Sequence, residues 1–415
     1  MSLQYDSFRI NSSSEIPASL VPESSNHLIA NVSKENAYVT ATNSQTAGPN
    51  SFLLFSIPNR GFLEPNSLAL GFTVAIQSQV AGDTVGFCYP DRTANALIQR
   101  ITVSCGGIIL EMVENSNLLA SILRTHCTTK DHLDNLVVTE QALVTLATGG
   151  NKLRTYDSML SFPSVGLLNA QKALPLSLMG ANLDIQIDFA SVNRSCFDSN
   201  GANIVENYTI TVPKLYYTRI DPPLAYMNLL RENMIKNGKV FTVYYNRVYG
   251  FETQHNLNSD LFYPGSLSVS SCQAILTTEI ETAALNTSNA TTKPFLLNAV
   301  TDHKFYIDNI PVTSYPISNE AQCFFSLQKA IGNWGADKHG SSFIANYQDF
   351  EQDVFCMGWD LMKTRDNAFT HSGTPISTFR LEKTSTANLA ATSFLYFICS
   401  TELEVDANGI CSVKR

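Results

Sequence analysis

The chain has 415 residues, more than one hydrophobic core usually supports, so its length favours two domains, and it is 44% hydrophobic and 10% aromatic. Charged residues make up only 15%, against roughly 25% in an average soluble protein, and Ser, Thr and Asn supply the polar surface instead. The net charge of −9 argues against a broad phosphate-neutralising surface, so sequence-specific nucleic-acid binding is not expected.

The first twenty residues, MSLQYDSFRINSSSEIPASL, hold one Arg and no apolar core of signal-peptide length, and read as a polar packing arm. Strand signals follow: Ser51 to Ile57, Ser67 to Ile76 and Gln99 to Ser104 are alternating or wholly apolar runs bounded by Gly, Pro, Asn and Asp. Asn115 to Arg124 switches to helical spacing, with Leu118, Leu119, Ile122 and Leu123 on one face, and Asp131 to Leu146 repeats it with Leu133, Leu136, Val137 and Leu143. Leu183 to Ala190 and Tyr208 to Leu215 are strands again.

Asp221-Pro222-Pro223 halts the last of these, because proline cannot donate to a ladder. Leu224 to Lys236 then places Tyr226, Leu229, Leu230 and Met234 at helical spacing before an Asn237-Gly238 stop. This is the pattern of a short helical linker and sets the expected domains at 1–220, a polar segment plus the first β domain, and 221–415, the linker plus the second. Lys239 to Tyr245, Ser266 to Ala274, His303 to Ile307, Ser377 to Glu382 and Ser393 to Ser400 are the strands of the second half. Asn319 to Ile331, carrying Phe324, Phe325 and Leu327 behind a Ser318 or Asn319 cap, is its helix. Both helices follow a strand-like stretch (Ile101 to Val113, Phe305 to Ser314) at an offset of roughly 205 residues, the trace a tandem duplication leaves. Long connections without regular crossover helices favour antiparallel sandwiches over a parallel sheet.

Four segments carry a resemblance. They are Arg100-Ile101-Thr102-Val103-Ser104-Cys105-Gly106-Gly107 running into Leu110-Glu111 and the helix at Asn117, and Ala173-Leu174-Pro175-Leu176-Ser177-Leu178-Met179 running into Leu183 to Phe189. The other two are Phe355-Cys356-Met357-Gly358-Trp359-Asp360-Leu361 with Ser372-Gly373-Thr374 downstream, and Glu402-Leu403-Glu404-Val405-Asp406-Ala407-Asn408-Gly409. In order and spacing across nearly the whole chain they resemble double jelly-roll viral major capsid proteins, the lineage of tailless membrane-containing phages, virophages and adenovirus hexon. The resemblance implies an all-β fold of two tandem eight-stranded antiparallel jelly rolls with a few short helices. It further implies a homotrimer with a pseudo-hexagonal footprint that tiles an icosahedral virion shell. Neighbouring trimers, penton or minor capsid proteins and an internal membrane are the partners that follow. The alternative with the same strand-rich signature is a trimeric receptor- or glycan-binding β-sandwich, spike- or lectin-like; an enzyme on a β-sandwich scaffold is the third.

Chemistry-bearing strings are few, and no catalytic, cofactor-binding or metal-ligating residue is assigned. His371-Ser372-Gly373 reads as a turn before Pro375, since adjacent residues rarely form a working dyad. Phe162-Pro163-Ser164-Val165-Gly166 lacks the first Gly of a nucleophile elbow. Glu279 with Glu281, and Asp349, Glu351 and Asp353, are carboxylate sets expected in solvated loops, with Ca²⁺ at a subunit contact as their functional alternative. Gly149-Gly150-Asn151-Lys152 matches no phosphate loop. His126 and His132 read as surface residues, and Tyr216-Tyr217, Tyr244-Tyr245 and Phe324-Phe325 as core or subunit interface. Nine scattered cysteines, with no CxxC pair and no signal peptide, read as reduced thiols of a protein made in the host cell interior.

Overall fold

The computed structural model describes residues 32–80, 85–127, 153–198, 204–256, 259–288, 293–297, 300–331, 350, 354–363, 372–386 and 389–414. The predicted helix Asp131 to Leu146 lies outside them, as do the polar arm and the strings at 149–152, 349, 351, 353 and His371.

In chain order the first half contributes β1 (Ser33–Thr40), β2 (Thr46–Ala47), β3 (Phe52–Ile57), β4 (Phe62–Leu63), β5 (Ala69–Ser78), β6 (Val85–Phe87), β7 (Ile98–Cys105) and β8 (Ile108–Glu114). After the helix Ser116–Cys127 come β9 (Leu153–Ser161), β10 (Leu183–Phe189), β11 (Cys196–Asp198) and β12 (Val205–Asp221). Its long strands form two antiparallel sheets, β1-β12-β5-β9 and β3-β10-β7-β8, with β2 and β4 added along β12. Strict alternation of buried and half-buried residues along β5 and β10 shows why they pair face to face: every second side chain points into one core.

The second half, after the helix Leu224–Asn237, has β13 (Phe241–His255), β14 (Leu261–Glu281), β15 (Val300–Ile307), β16 (Ile310–Pro311), β17 (Met357–Asp360), β18 (Thr374–Ser385), β19 (Ala391–Val405) and β20 (Cys411–Lys414). Their hydrogen bonding is continuous, in the order β13-β19-β14-β18-β15-β16, with β17 on β14 and β20 on β19. The continuity comes from β14: Leu261 to Cys272 pairs with β18, Cys272 to Glu281 pairs with β19, and register shifts after Ser266 and Val269 let one strand bend from one sheet into the other. Cut at that bend, β13-β19-β14-β17 repeats β1-β12-β5-β9, and β14-β18-β15-β16 repeats β3-β10-β7-β8. Each half is therefore a jelly roll of two four-stranded sheets.

Local chemistry supports the repeat. The hairpin β7–β8 turns through Gly106 and Gly107 (φ 56° and 82°), and β15–β16 turns through Asp308 and Asn309 (φ 48° and 67°). Positive φ at both central residues is the two-residue turn whose twist matches that of the strands. A helix follows each hairpin; the second, Glu320–Ala330, is capped by the Asn319 side chain, which accepts from Gln322 N at 2.9 Å, while Gln322 Oε1 accepts from Ser318 N at 2.9 Å. Leu224–Asn237 ends at Gly238 in the left-handed region (φ 59°) as predicted, but buries Tyr226, Met227 and Met234, with Leu229 and Leu230 half-buried. Its inward face is thus rotated from the expected one towards Met227.

The second core is aromatic. Phe379 lies 4.7 Å from Phe397, 5.1 Å from Phe251 and 6.0 Å from Phe305, centroid to centroid, and its ring covers Gly265, where a Cβ would meet Phe379 Cζ at 2.2 Å. Phe379→Ala is expected to lower stability by about 3–5 kcal/mol, read as a fall in the urea midpoint at unchanged slope.

Candidate functional site: the seam between the jelly rolls

The two jelly rolls meet along β8, β13 and β19, and the first half of β19 is buried on both faces because one serves its own core and the other the seam. The contacts across it are polar and directional. Tyr245 Oη donates to Leu110 O at 2.8 Å, and Tyr396 Oη donates to Asn115 O at 3.0 Å. Arg194 holds Glu252 with both terminal nitrogens, at 2.8 and 3.2 Å, in a bidentate pair. Gly180 N donates to Gly409 O at 2.8 Å, Lys293 N to Cys88 O at 2.8 Å, and Asp198 N to Ser288 O at 2.8 Å. His126 Nε2 is 2.8 Å from Val354 O.

Glu111 sits at the centre, fully buried. Its two oxygens accept from Gly166 N at 3.1 Å and Leu167 N at 2.8 Å, and Arg247 and the Val248 main chain approach from β13. Burial pushes its carboxyl up to about 7 against the lowering effect of those donors. The loop reaches this position because Gly166 lies against β13, where a Cβ would meet Asn246 O at 1.7 Å. That is the role of the Phe162 to Gly166 string; Ser164 is buried and shares a 2.7 Å hydrogen bond with Ser116 Oγ.

A second charged cluster lies inside the C-terminal roll. Glu279 and Lys383, each 1% exposed, form an ion pair, and Ser393 Oγ donates to the same Glu279 oxygen at 2.9 Å. His255 Nδ1 stands 3.9 Å away. Burial would raise the Glu279 carboxyl, but the Lys383 ammonium, the His255 ring and the Ser393 hydroxyl outweigh it and hold it down at about 2. The facing carboxylate raises the His255 imidazole. His303, buried with neither ring nitrogen hydrogen-bonded among the described residues, is driven down to about 3 by burial and by Lys383.

Two expectations are corrected here. Glu279 with Glu281 is not a solvated loop pair: both lie on β14, and Glu279 turns inward because Lys383 compensates its burial. His126 is not a surface residue: it is 1% exposed at the seam, and burial lowers its imidazole to about 4. Of the aromatic pairs, Tyr217 and Tyr245 are core, while Tyr216, Tyr244, Phe324 and Phe325 are half-buried. Ser372 is buried, and the neighbouring Gly373 N donates to Ser271 Oγ at 3.0 Å, as the turn before β18. Among the described residues no group of three His, Cys, Asp or Glu side chains is placed to hold a metal ion. Nor is any helix among them long and apolar enough to cross a membrane.

No protein-family model and no curated protein matches the sequence. Solved structures match the fold over nearly its whole length. The PBCV-1 virus capsid is 11% identical, with 93% of this chain and 97% of that chain covered at a TM-score of 0.62. The Faustovirus major capsid protein is 9% identical, with 93% and 92% covered at 0.63, and the mavirus major capsid protein 10% identical, with 91% and 90% covered at 0.50. At such identities the likeness is one of fold: this chain has the double jelly-roll fold that those capsid proteins share.

Two measurements test the buried charges. Glu279→Gln leaves the Lys383 ammonium buried without its counter-charge and is expected to cost about 3–5 kcal/mol by urea unfolding, whereas Glu279→Leu with Lys383→Met recovers most of that loss. His126 and His303 fold as neutral rings with values below the ordinary 6.5, so the unfolded chain takes up their protons first. Their contribution is whole above pH 6.5 and is lost as pH falls towards about 4 and 3; Glu279 adds a loss between 4.5 and about 2. His303→Phe should therefore flatten the stability profile between pH 6 and 4 by about 1.4 kcal/mol per pH unit.

Proposed function

We propose that the chain is a viral major capsid protein whose work is mechanical rather than catalytic: it trimerises, and its trimers tile an icosahedral shell. The observation that carries this reading is the pair of jelly rolls joined by a directional seam, a form shared along nine-tenths of the chain with capsid proteins of three viruses. A shell brick must keep one shape under lateral load, and a seam of bidentate and main-chain hydrogen bonds fixes the angle between two sandwiches better than apolar contact alone.

The division into domains at 1–220 and 221–415 belongs to the same proposal, since each β-strand up to Asp221 pairs with strands of the first half and each from Phe241 on with strands of the second. Equivalent hairpins of the two rolls carry exposed apolar side chains, Ile108, Ile109 and Met112 on β8 and Ile310 on β16, of which Ile310 is 69% exposed. Such side chains are suited to burial against other subunits, and the low charge density lets neighbours pack without strong repulsion. Neighbouring trimers, penton or minor capsid proteins and an underlying membrane are the partners this role implies. The place of action is the virion, after synthesis inside the host cell.

The purified chain is expected to scatter light as a particle near three times 45.6 kDa, with a pseudo-hexagonal outline in negative stain. A monomer, or a discrete oligomer that binds glycan and forms no lattice, would turn the reading towards an attachment protein.

A further inference from the structure

Eight of the nine cysteines occur as neighbours in four pairs. Cys272 faces Cys399 across β14 and β19, and Cys88 neighbours Cys196, as Cys127 does Cys356. Cys105 and Cys411 form the fourth pair and, like Cys127 with Cys356, join different jelly rolls. Cys105 ends β7 just before the Gly106-Gly107 turn; Cys411 opens β20, opposite Val405. Main chains of the two rolls touch at this point, Gly180 N donating to Gly409 O at 2.8 Å, while Cys105 Sγ lies 3.5 Å from Ala181 O. The two thiols lie close enough to act on one another, and each residue is 3% exposed.

Their environments differ from those of the other pairs. The Cys411 thiol holds the Cys105 thiol down at about 7 and is itself raised. Burial pushes Cys88 up to about 11, Cys196 up to about 12, and Cys272 and Cys356 well up. A thiolate near neutral pH beside a second thiol is the arrangement of an oxidisable sulfur with its resolving partner. Access is local: β20 is four residues long and, among the described strands, pairs only with β19, so its opening exposes the pair without unfolding either core.

We propose that Cys105 and Cys411 are a peroxide-sensitive dithiol whose oxidation locks the two jelly rolls together through a disulfide. The Cys105 thiolate attacks one oxygen of hydrogen peroxide; the O–O bond breaks, hydroxide leaves and is protonated to water, and Cys105 becomes a sulfenic acid. Cys411 then gives up its proton and its sulfur attacks that of Cys105; the S–O bond breaks, the S–S bond forms, and a second water departs. Two electrons pass from the two sulfurs to the peroxide. The product ties the β7–β8 turn to β20 across the seam, so that a protein assembled reduced becomes braced once oxidised.

The test treats the full chain with one to two equivalents of hydrogen peroxide and maps unreduced peptides by mass spectrometry. The expected result is a Cys105–Cys411 cross-link with Cys272 and Cys399 still free, and a rise in Tm of about 4 °C that dithiothreitol reverses. In Cys411→Ser, Cys105 should instead be trapped by dimedone as sulfenic acid, while Cys272→Ser should leave the cross-link intact. Peroxide-treated wild-type protein with Cys105 still free, or cross-linked to another cysteine, would overturn the proposal, whatever the variants do.

Discussion

Glu111 is a carboxylate buried between two β-sandwiches, and the architecture depends on the donors that keep it there. A loop of the first roll gives it two main-chain N–H groups, from Gly166 and Leu167, while Arg247 and Val248 of the second roll close the other side. Neither roll alone supplies the whole set. The neighbouring contacts follow the same rule: Leu110 O, within β8, and Asn115 O, just after it, receive their hydrogen bonds from Tyr245 and Tyr396 of the opposite roll. A slip of one roll against the other too small to admit water would leave these groups buried without partners, and the asymmetry between a satisfied and an orphaned buried polar group makes the junction stiff.

That stiffness explains where polar chemistry appears in the molecule. Three deeply buried charged residues, Glu111, Glu279 and Lys383, are held by main chain, by a hydroxyl or by one another. Such clusters fix geometry at little or no net gain in stability over apolar packing. The aromatic centre around Phe379 supplies the apolar burial.

Much of the fold was legible in the sequence wherever one residue settles a local conformation. Gly106-Gly107 marks a turn that needs positive φ, Asn319 a helix cap, Gly238 a left-handed helix end, and alternating runs such as Leu183 to Phe189 mark half-buried strands. The strand expected over Ser266 to Ala274 is longer in the structure. It begins at Leu261 and runs through Pro264-Gly265, which pair with Arg380 and Phe379 of β18 where β14 is an edge strand and proline is tolerated. The four segments of the family resemblance include Leu110, Glu111, Met179 and Gly409, residues at or beside the seam, which is why a weak pattern could carry the fold. What could not be read were the partners. Arg194 with Glu252, and Glu279 with Lys383, are far apart in the chain and meet only through topology. A signal was present at Glu279, a single acid within the otherwise uncharged run Ala274 to Ile280, and at Glu111 within Ile108 to Val113, where a charge in a buried strand calls for a partner.

The most direct test of the central claim, that the seam makes two jelly rolls one mechanical unit, is differential scanning calorimetry of the intact chain. One transition with a calorimetric to van't Hoff enthalpy ratio of about one is predicted. Two separable transitions, each with the enthalpy of a single roll, would contradict it.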